Sequence, residues 1–317
     1  MGGMSICRRC IAAVAACWVV SSINAPAKSF GLVAQNQDED ALRSMADGSR
    51  EVVRTAPIAA DRIETDHVVV YVDKGLLTTG AARKFAQNVD RMFVATSAYL
   101  QREFDPTVRK AARPVYYLTN RAGISHAEST RIFLNARRVI PSPAIVIHES
   151  VHLLLMTNPD SPRNRSDLTP QEDARLTASS GVWLVEGFAG YVSYELAPRL
   201  NMKPDHLFVK GDRTTLAKEA RQWIRDPRGA MVLPFVGSSG LPEGFLADRA
   251  NVAAPFYVLG QSFVNHLVQH AGLAAIARLY EEHFGGTQPI GDDVKRITGK
   301  DLVLWRKEWL EAIGGSR

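Results

Sequence analysis

The order of hydrophobic and polar positions predicts strands in the first half of the chain. Two short runs rich in β-branched and aromatic residues, "HVVVYVD" (67–73) and "RPVYYLTN" (113–120), have the composition of strands. Between them, apolar residues recur at helical spacing from Thr79 to Phe104, which predicts one long amphipathic helix. A third strand is predicted near "RIFL" at 131–134.

The second half of the chain shows the longer apolar periods of helices. Residues 158–178 are polar and contain three prolines, so we interpret them as a loop, and residues 199–252 show no clear organisation. Pro198 is expected to stop the helix predicted at 181–197. Strands followed by helices indicate the α+β class, with a small N-terminal mixed sheet and a helix ahead of a mostly helical part. The predicted helices are 144–156, 181–197, 255–270, 273–283, 291–298 and 301–313.

The N-terminus has the features of a secretory signal peptide. Arg8 and Arg9 form a basic region, residues 10–20 are apolar, and small residues precede a predicted cleavage site after Ala27. The apolar run is shorter than the roughly 20 residues of a permanent membrane helix, so no transmembrane span is expected. An alternative is lipid anchoring at Cys17, but the apolar residues after Cys17 place it inside the hydrophobic run.

These features divide the chain into three parts and predict export to the periplasm or the cell exterior. The signal peptide covers residues 1–27, and a polar leader without hydrophobic periodicity covers 28–60. One domain is predicted at 61–317, with a β-rich part to residue 143 and a helical part from residue 144.

Composition narrows the chemistry available to the exported chain. The 317 residues are 46% hydrophobic and 22% charged, as in ordinary globular proteins. All three cysteines precede residue 28, so any metal must be held by histidines and carboxylates. The formal net charge is +5, and the signal-peptide residues Arg8 and Arg9 contribute +2 of it. The remaining net charge of about +3 is small and predicts no nucleic-acid partner. The oligomeric state stays open.

One motif carries the candidate chemistry. "HESVH" at 148–152 fits H-E-x-x-H inside the apolar stretch "PAIVIHESVHLLL". On a helix, positions i and i+4 share a face, so His148 and His152 can direct imidazole nitrogens at one ion. Glu149 is rotated from them but can reach a water on that ion. Two neutral imidazoles and a carboxylate suit Zn²⁺ and leave one position for water.

Two glutamates compete for the place of the third protein ligand. Glu172 lies 20 positions after His152, in the polar segment "LTPQEDARL". Glu186 lies 34 positions after His152 in "WLVEGFAGY", where a lone acid among large apolar residues needs a cation. We favour Glu186, and we expect Gly187 to let its helix approach the histidine helix closely.

"HESVH" followed by "WLVEGFAGY" resembles the zinc signature of the gluzincin metallopeptidases, closest to the aminopeptidase-N type. That type carries W-L-N-E-G-F-A-x-Y, so Val185 departs where Asn is usual. More loosely, "FYVLGQSFVNHL" (256–267) and "RITGKDLVLWRKEWLE" (296–311) are similar to the closing helices of peptidase-MA-like domains. The resemblance implies a zincin-like helical domain that holds zinc through His148, His152 and Glu186.

The resemblance also implies roles for two further residues. Glu149 would be the general base that takes a proton from the attacking water and passes it to the leaving amine. Tyr257 matches by position the tyrosine that donates to the oxyanion in the resembled group, whereas Tyr191 and Tyr194 are expected to pack or support. The chain lacks an upstream G-x-M-E-N segment, and the interval from His152 to Glu186 is longer than in aminopeptidase N. The missing segment would anchor the N-terminal amine of a substrate, so its absence weighs against an exopeptidase. The longer interval implies a remodelled rim of the cleft.

Three functions fit these residues. The first is an exported zinc metallopeptidase acting on a peptide or protein substrate. The alternative from another class is a zinc-containing, non-proteolytic module that binds a peptide or a cell-envelope component. Glu149 favours the first, since a pure binding site needs no base. Hydrolysis of a non-peptide amide is a third option.

Overall fold

The computed structural model describes eight segments of the chain. The predicted signal peptide, leader residues 28–59 and the predicted loop 158–178, which includes Glu172, lie outside the described residues. The described segments are 60–106, 111–120, 125–127, 131–155, 181–203, 213–242, 249–285 and 289–314.

Five strands form one mixed sheet, in the order β1-β2-β3-β5-β4. Strands β2, β3 and β5 are parallel, whereas β1 and β4 pair antiparallel at the two edges. The three predicted strands are confirmed. The leader was expected to run through residue 60, but Ala60 opens β1, whose "ADRIE" sequence is held by pairing along β2 and not by burial. The strands are β1 (Ala60–Glu64), β2 (Val69–Asp73), β3 (Val115–Thr119), β4 (His126–Ala127) and β5 (Arg131–Asn135).

Helix α1 (Thr79–Leu100) connects the parallel strands β2 and β3. The Thr78 hydroxyl caps its first turn by accepting from the Ala81 amide at 3.3 Å. The prediction that it continues to Phe104 is wrong, because Gln101 takes a left-handed conformation (φ 54°, ψ 45°) that ends the helix. Its buried side chains lie at helical spacing along one face, as expected of an amphipathic helix: Ala82, Ala86, Val89, Met92, Phe93, Thr96 and Leu100.

The remaining helices build the larger part of the domain. The helix at Val182–Arg199 includes Pro198 in its last turn, so it ends two residues later than predicted. Residues 199–252, for which no organisation was predicted, contain α5 and α6. The helices after α1 are α2 (Ala136–Val139), α3 (Ile145–Leu155), α4 (Val182–Arg199), α5 (Arg213–Arg225), α6 (Pro227–Val232), α7 (Ala254–Ala271), α8 (Leu273–Gly285), α9 (Ile290–Thr298) and α10 (Leu302–Ala312).

Helix α3 lies at the centre of the fold, and all of its residues are buried. It packs against the sheet, α1, α4 and α8. The Tyr116 hydroxyl on β3 lies 2.8 Å from the Ser150 hydroxyl, which itself donates to the Val146 carbonyl at 2.7 Å. The Tyr116 hydroxyl is therefore the donor to Ser150, and this bond fixes α3 against the sheet.

Helices α4 and α7 pack closely through glycines. A Cβ atom on Gly187 would lie 2.9 Å from Val264 Cγ2 and 3.0 Å from the Gly260 carbonyl oxygen. Gly187 therefore faces α7, and the expectation that it lets α4 approach the histidine helix is wrong. The physical reason is the helical period, since Gly187 is turned by about 100° from its neighbour Glu186.

The described elements confirm the α+β class, with a small mixed sheet and α1 ahead of a mostly helical part. Among the described residues, no helix combines the length and hydrophobicity needed to cross a bilayer.

Candidate metal centre

Helix α3 places two imidazole rings side by side. His148 and His152 are one helical turn apart, and their ring centroids lie 4.6 Å apart at an interplanar angle of 73°. Their Nε2 atoms approach to 2.8 Å. Both residues are buried, so the pair of nitrogens points into the interior of the domain and not into bulk water.

Helix α4 brings Glu186 to this pair. Its Oε2 atom lies 3.3 Å from His148 Nε2, and its Oε1 atom lies 3.8 Å from His152 Nε2. The ligand atoms of the three residues all lie within 4.8 Å of one another. In the described part of the chain, these three residues form the cluster of histidine and acidic side chains that could hold a metal ion. The competing Glu172 lies outside that part.

The three residues fit a zinc ion. Zinc bonds of about 2.0–2.1 Å at a tetrahedral angle place neighbouring ligand atoms about 3.3 Å apart, and the observed separations of 2.8, 3.3 and 3.8 Å scatter around this value. Neither Glu186 oxygen accepts a hydrogen bond from the described residues, although both are buried. A buried carboxylate that lacks donors is a costly group unless a cation lies beside it.

In the absence of a cation, burial shifts the pKa values of Glu186 and His152. It raises the pKa of Glu186 to about 8 and lowers that of His152 to about 3. A neutral imidazole is the form that binds a metal, and a nearby cation would lower the pKa of the carboxyl group. The site is thus arranged to hold positive charge between the two imidazole rings and one acid.

Glu149 follows His148 on α3 but is not one of the converging group. Its side chain is fully buried, and its two oxygens accept no hydrogen bond from the described residues. Burial raises the pKa of Glu149 well above its ordinary value, and the negative charge of Glu186 raises it further.

Tyr280 on α8 contacts the site, and sequence reasoning missed it. Its hydroxyl lies 2.7 Å from His152 Nδ1, the ring nitrogen opposite the one that faces Glu186. The residue is fully buried, and its ring packs against Phe188 of α4 at a centroid distance of 6.2 Å. Its setting, "ARLYEEHF", is ordinary for an amphipathic helix, so no local signal distinguishes it.

The other candidate tyrosines lie on neighbouring helices. Tyr257 is in the first turn of α7 and is 7% exposed, and burial raises its pKa well above the ordinary value. Its assignment as oxyanion donor stays a prediction. Tyr191 and Tyr194 are buried on α4, where Tyr191 packs against Phe188 at 6.3 Å.

Two histidines of the C-terminal helices have partners away from the candidate metal centre. His283 Nδ1 lies 2.9 Å from Asp293 Oδ2, both buried, and His270 Nδ1 donates to the His266 carbonyl at 2.8 Å. These contacts give both histidines partners outside the candidate metal centre.

Comparison with protein-family models and with curated proteins finds no match to this chain.

Proposed function

We propose that this chain is an exported zinc-dependent peptide hydrolase of the gluzincin type. The observation that carries the proposal is the convergence of His148, His152 and Glu186, with the buried Glu149 following His148 on the same helix. The histidines and Glu186 would hold the ion, and Glu149 would remain outside the ligand set.

A zinc ion at these residues would supply a Lewis acid for a scissile carbonyl group and would lower the pKa of a bound water. The protein's own part is proton transfer. Glu149 would hold the proton of the attacking water and return it to the leaving amine. Its burial supports this role, because an apolar setting raises the pKa of a carboxyl group and makes the carboxylate a stronger base.

Glu149 also favours hydrolysis over the non-proteolytic binding module. Three ligands are enough to hold an ion, and a second buried acid on the same helix as the histidines costs free energy of folding. A catalytic role gives a reason for that cost, whereas ligand binding alone does not.

A library of peptides, half of them N-terminally acetylated, tests the activity. Zinc-loaded protein should cleave, chelated protein should not, and Glu149→Gln should retain zinc while losing a hundredfold to ten-thousandfold in turnover. Glu311→Gln, at an exposed position on α10, is the matched control. Cleavage of acetylated peptides is expected, because the sequence lacks the G-x-M-E-N segment that would anchor a free amine. Binding of peptide without cleavage by zinc-loaded protein would replace this proposal with the binding module.

Export is the second part of the proposal, and it rests on residues 1–27. Mass spectrometry of the exported chain should find Lys28 at its N-terminus. A lipid-modified N-terminus at Cys17 would instead support anchoring.

A further inference from the structure

The Tyr280–His152 contact joins the candidate metal centre to a part of the chain that carries none of its ligands. The contact is short, at 2.7 Å, and both residues are buried. It is directed at Nδ1 of His152, while Nε2 of the same ring faces His148 and Glu186. The hydroxyl therefore touches the ligand on the side away from the ion.

A neutral imidazole carries one N–H, so the protonation of its two nitrogens is coupled. A proton on Nδ1 leaves the lone pair on Nε2, where a metal would bind. Ligand histidines usually donate a hydrogen bond from the N–H of their second ring nitrogen to an acceptor. This bond fixes both the tautomer and the orientation of the ring. A tyrosine hydroxyl can accept this hydrogen bond.

We propose that Tyr280 is a positioning residue of the metal centre, whose hydroxyl accepts a hydrogen bond from Nδ1–H of His152. This rests on the proposed function, because it assigns Tyr280 a role toward a metal ligand. The bond holds the His152 ring with Nε2 directed at the ion.

Tyr280 is itself held in place by the next residue. The Glu281 carboxylate accepts two hydrogen bonds from the Arg102 guanidinium, at 2.5 and 2.9 Å. Glu281 is 5% exposed, and Arg102 lies two residues after the end of α1. A bidentate pair of this kind has a defined geometry, so it fixes the position of α8 relative to α1. Phe188 on α4 packs against the Tyr280 ring from another element.

The test compares Tyr280→Phe with Tyr116→Phe. Both variants remove one buried hydroxyl, and both lost bonds reach α3, through His152 and through Ser150 respectively. Only Tyr280 contacts a proposed ligand. Full-length protein is titrated with Zn²⁺ in competition with a chelator, and separately with Co²⁺ while the visible absorption spectrum is recorded.

We expect Tyr280→Phe to weaken zinc binding about tenfold to a hundredfold and to change the cobalt spectrum. Tyr116→Phe should stay within about threefold of the wild type and keep its spectrum. Unchanged affinity and spectrum in Tyr280→Phe would overturn the positioning role while leaving the metal site intact. A wild-type protein that binds neither metal would overturn both the role and the proposed function, so the two failures are distinguishable.

A measurement on the unmodified protein covers the case in which Tyr280→Phe does not fold. Nitrogen-15 NMR of the metal-free wild type reports which ring nitrogen of His152 carries the proton. The proposal requires the Nδ1–H form. Finding the Nε2–H form, with Tyr280 as the donor, would overturn it.

Discussion

The Nε2 atom of His148 lies 3.3 Å from the Oε2 atom of Glu186, and the two residues come from different buried helices. Neither helix can move toward water without exposing an apolar surface, because both are buried along most of their length. The ligand geometry is therefore set by the packing of α3 against α4. A metal ion would bind to residues that folding has already brought together.

Replacing Glu186 with Gln should remove the metal while preserving the shape of the site. The amide is nearly isosteric but lacks the negative charge, so we expect zinc affinity to fall at least a hundredfold. Metal content after equilibrium dialysis measures this, with circular dichroism to verify the fold. Full zinc retention in Glu186→Gln, combined with loss in Glu172→Gln, would transfer the third ligand to Glu172.

Gly187→Ala should destabilise the fold by about 1–3 kcal/mol. The new methyl group would lie 3.0 Å from the backbone of Gly260, which cannot rotate away as a side chain can. Gly291→Ala on α9 is the control, since a Cβ there meets nothing within 4 Å, and it should be neutral or stabilising by up to about 1 kcal/mol. Urea unfolding of both variants gives the comparison, and equal stabilities would argue against the close α4–α7 contact.

Arg102→Met should cost about 2–3 kcal/mol of unfolding free energy, because it leaves the Glu281 carboxylate buried without its charged partner. This is below the cost for a fully buried pair, since the Arg102 side chain is 31% exposed. Lys295→Met removes an exposed pair to Asp301 and should cost less than about 1 kcal/mol. Thermal or chemical unfolding at neutral pH measures both. A smaller loss in Arg102→Met than in Lys295→Met would contradict the role given to the Arg102–Glu281 pair.

His266 should make stability depend on pH below neutrality. Burial, followed by the charge of His270, lowers the pKa of His266 from 6.5 to about 4. The unfolded chain therefore binds this proton before the folded one does, and stability falls as pH decreases from about 6.5 to about 4. Solvent screening limits the loss to about 1–2 kcal/mol. The slope should flatten in His266→Gln when unfolding is measured across that range, and an unchanged slope would assign the effect to other groups.

The fold class and most elements were predictable because they follow from local period. The apolar repeats of α1, α3, α4 and α7 each gave a helix within a few residues of its observed bounds. Strand β1 was missed because "ADRIE" has a single large apolar residue and is stabilised by its neighbour strand. The end of α1 was missed because Gln101 takes a left-handed conformation, which that residue type does not signal.

For the candidate site, the reach of sequence reasoning depended on distance along the chain. His148, Glu149 and His152 share one motif, and the apolar setting of Glu186 is visible in its own helix. Tyr280 has no such signal, because its contact with His152 exists only after α8 has packed against α3. The prediction of which helix Gly187 faces was wrong for a similar reason, since a glycine does not indicate which neighbouring helix approaches it.

The bond between Tyr116 and Ser150 has a consequence for how this sequence can change over evolution. Ser150 occupies the first variable position of the H-E-x-x-H motif, yet it is fully buried and is bonded to the sheet. A larger residue there would have to displace Tyr116, and a smaller one would leave the tyrosine hydroxyl buried without Ser150. Positions 116 and 150 are therefore expected to vary as a pair among related chains. A position that the motif leaves free is thus constrained by a strand residue 34 positions before it.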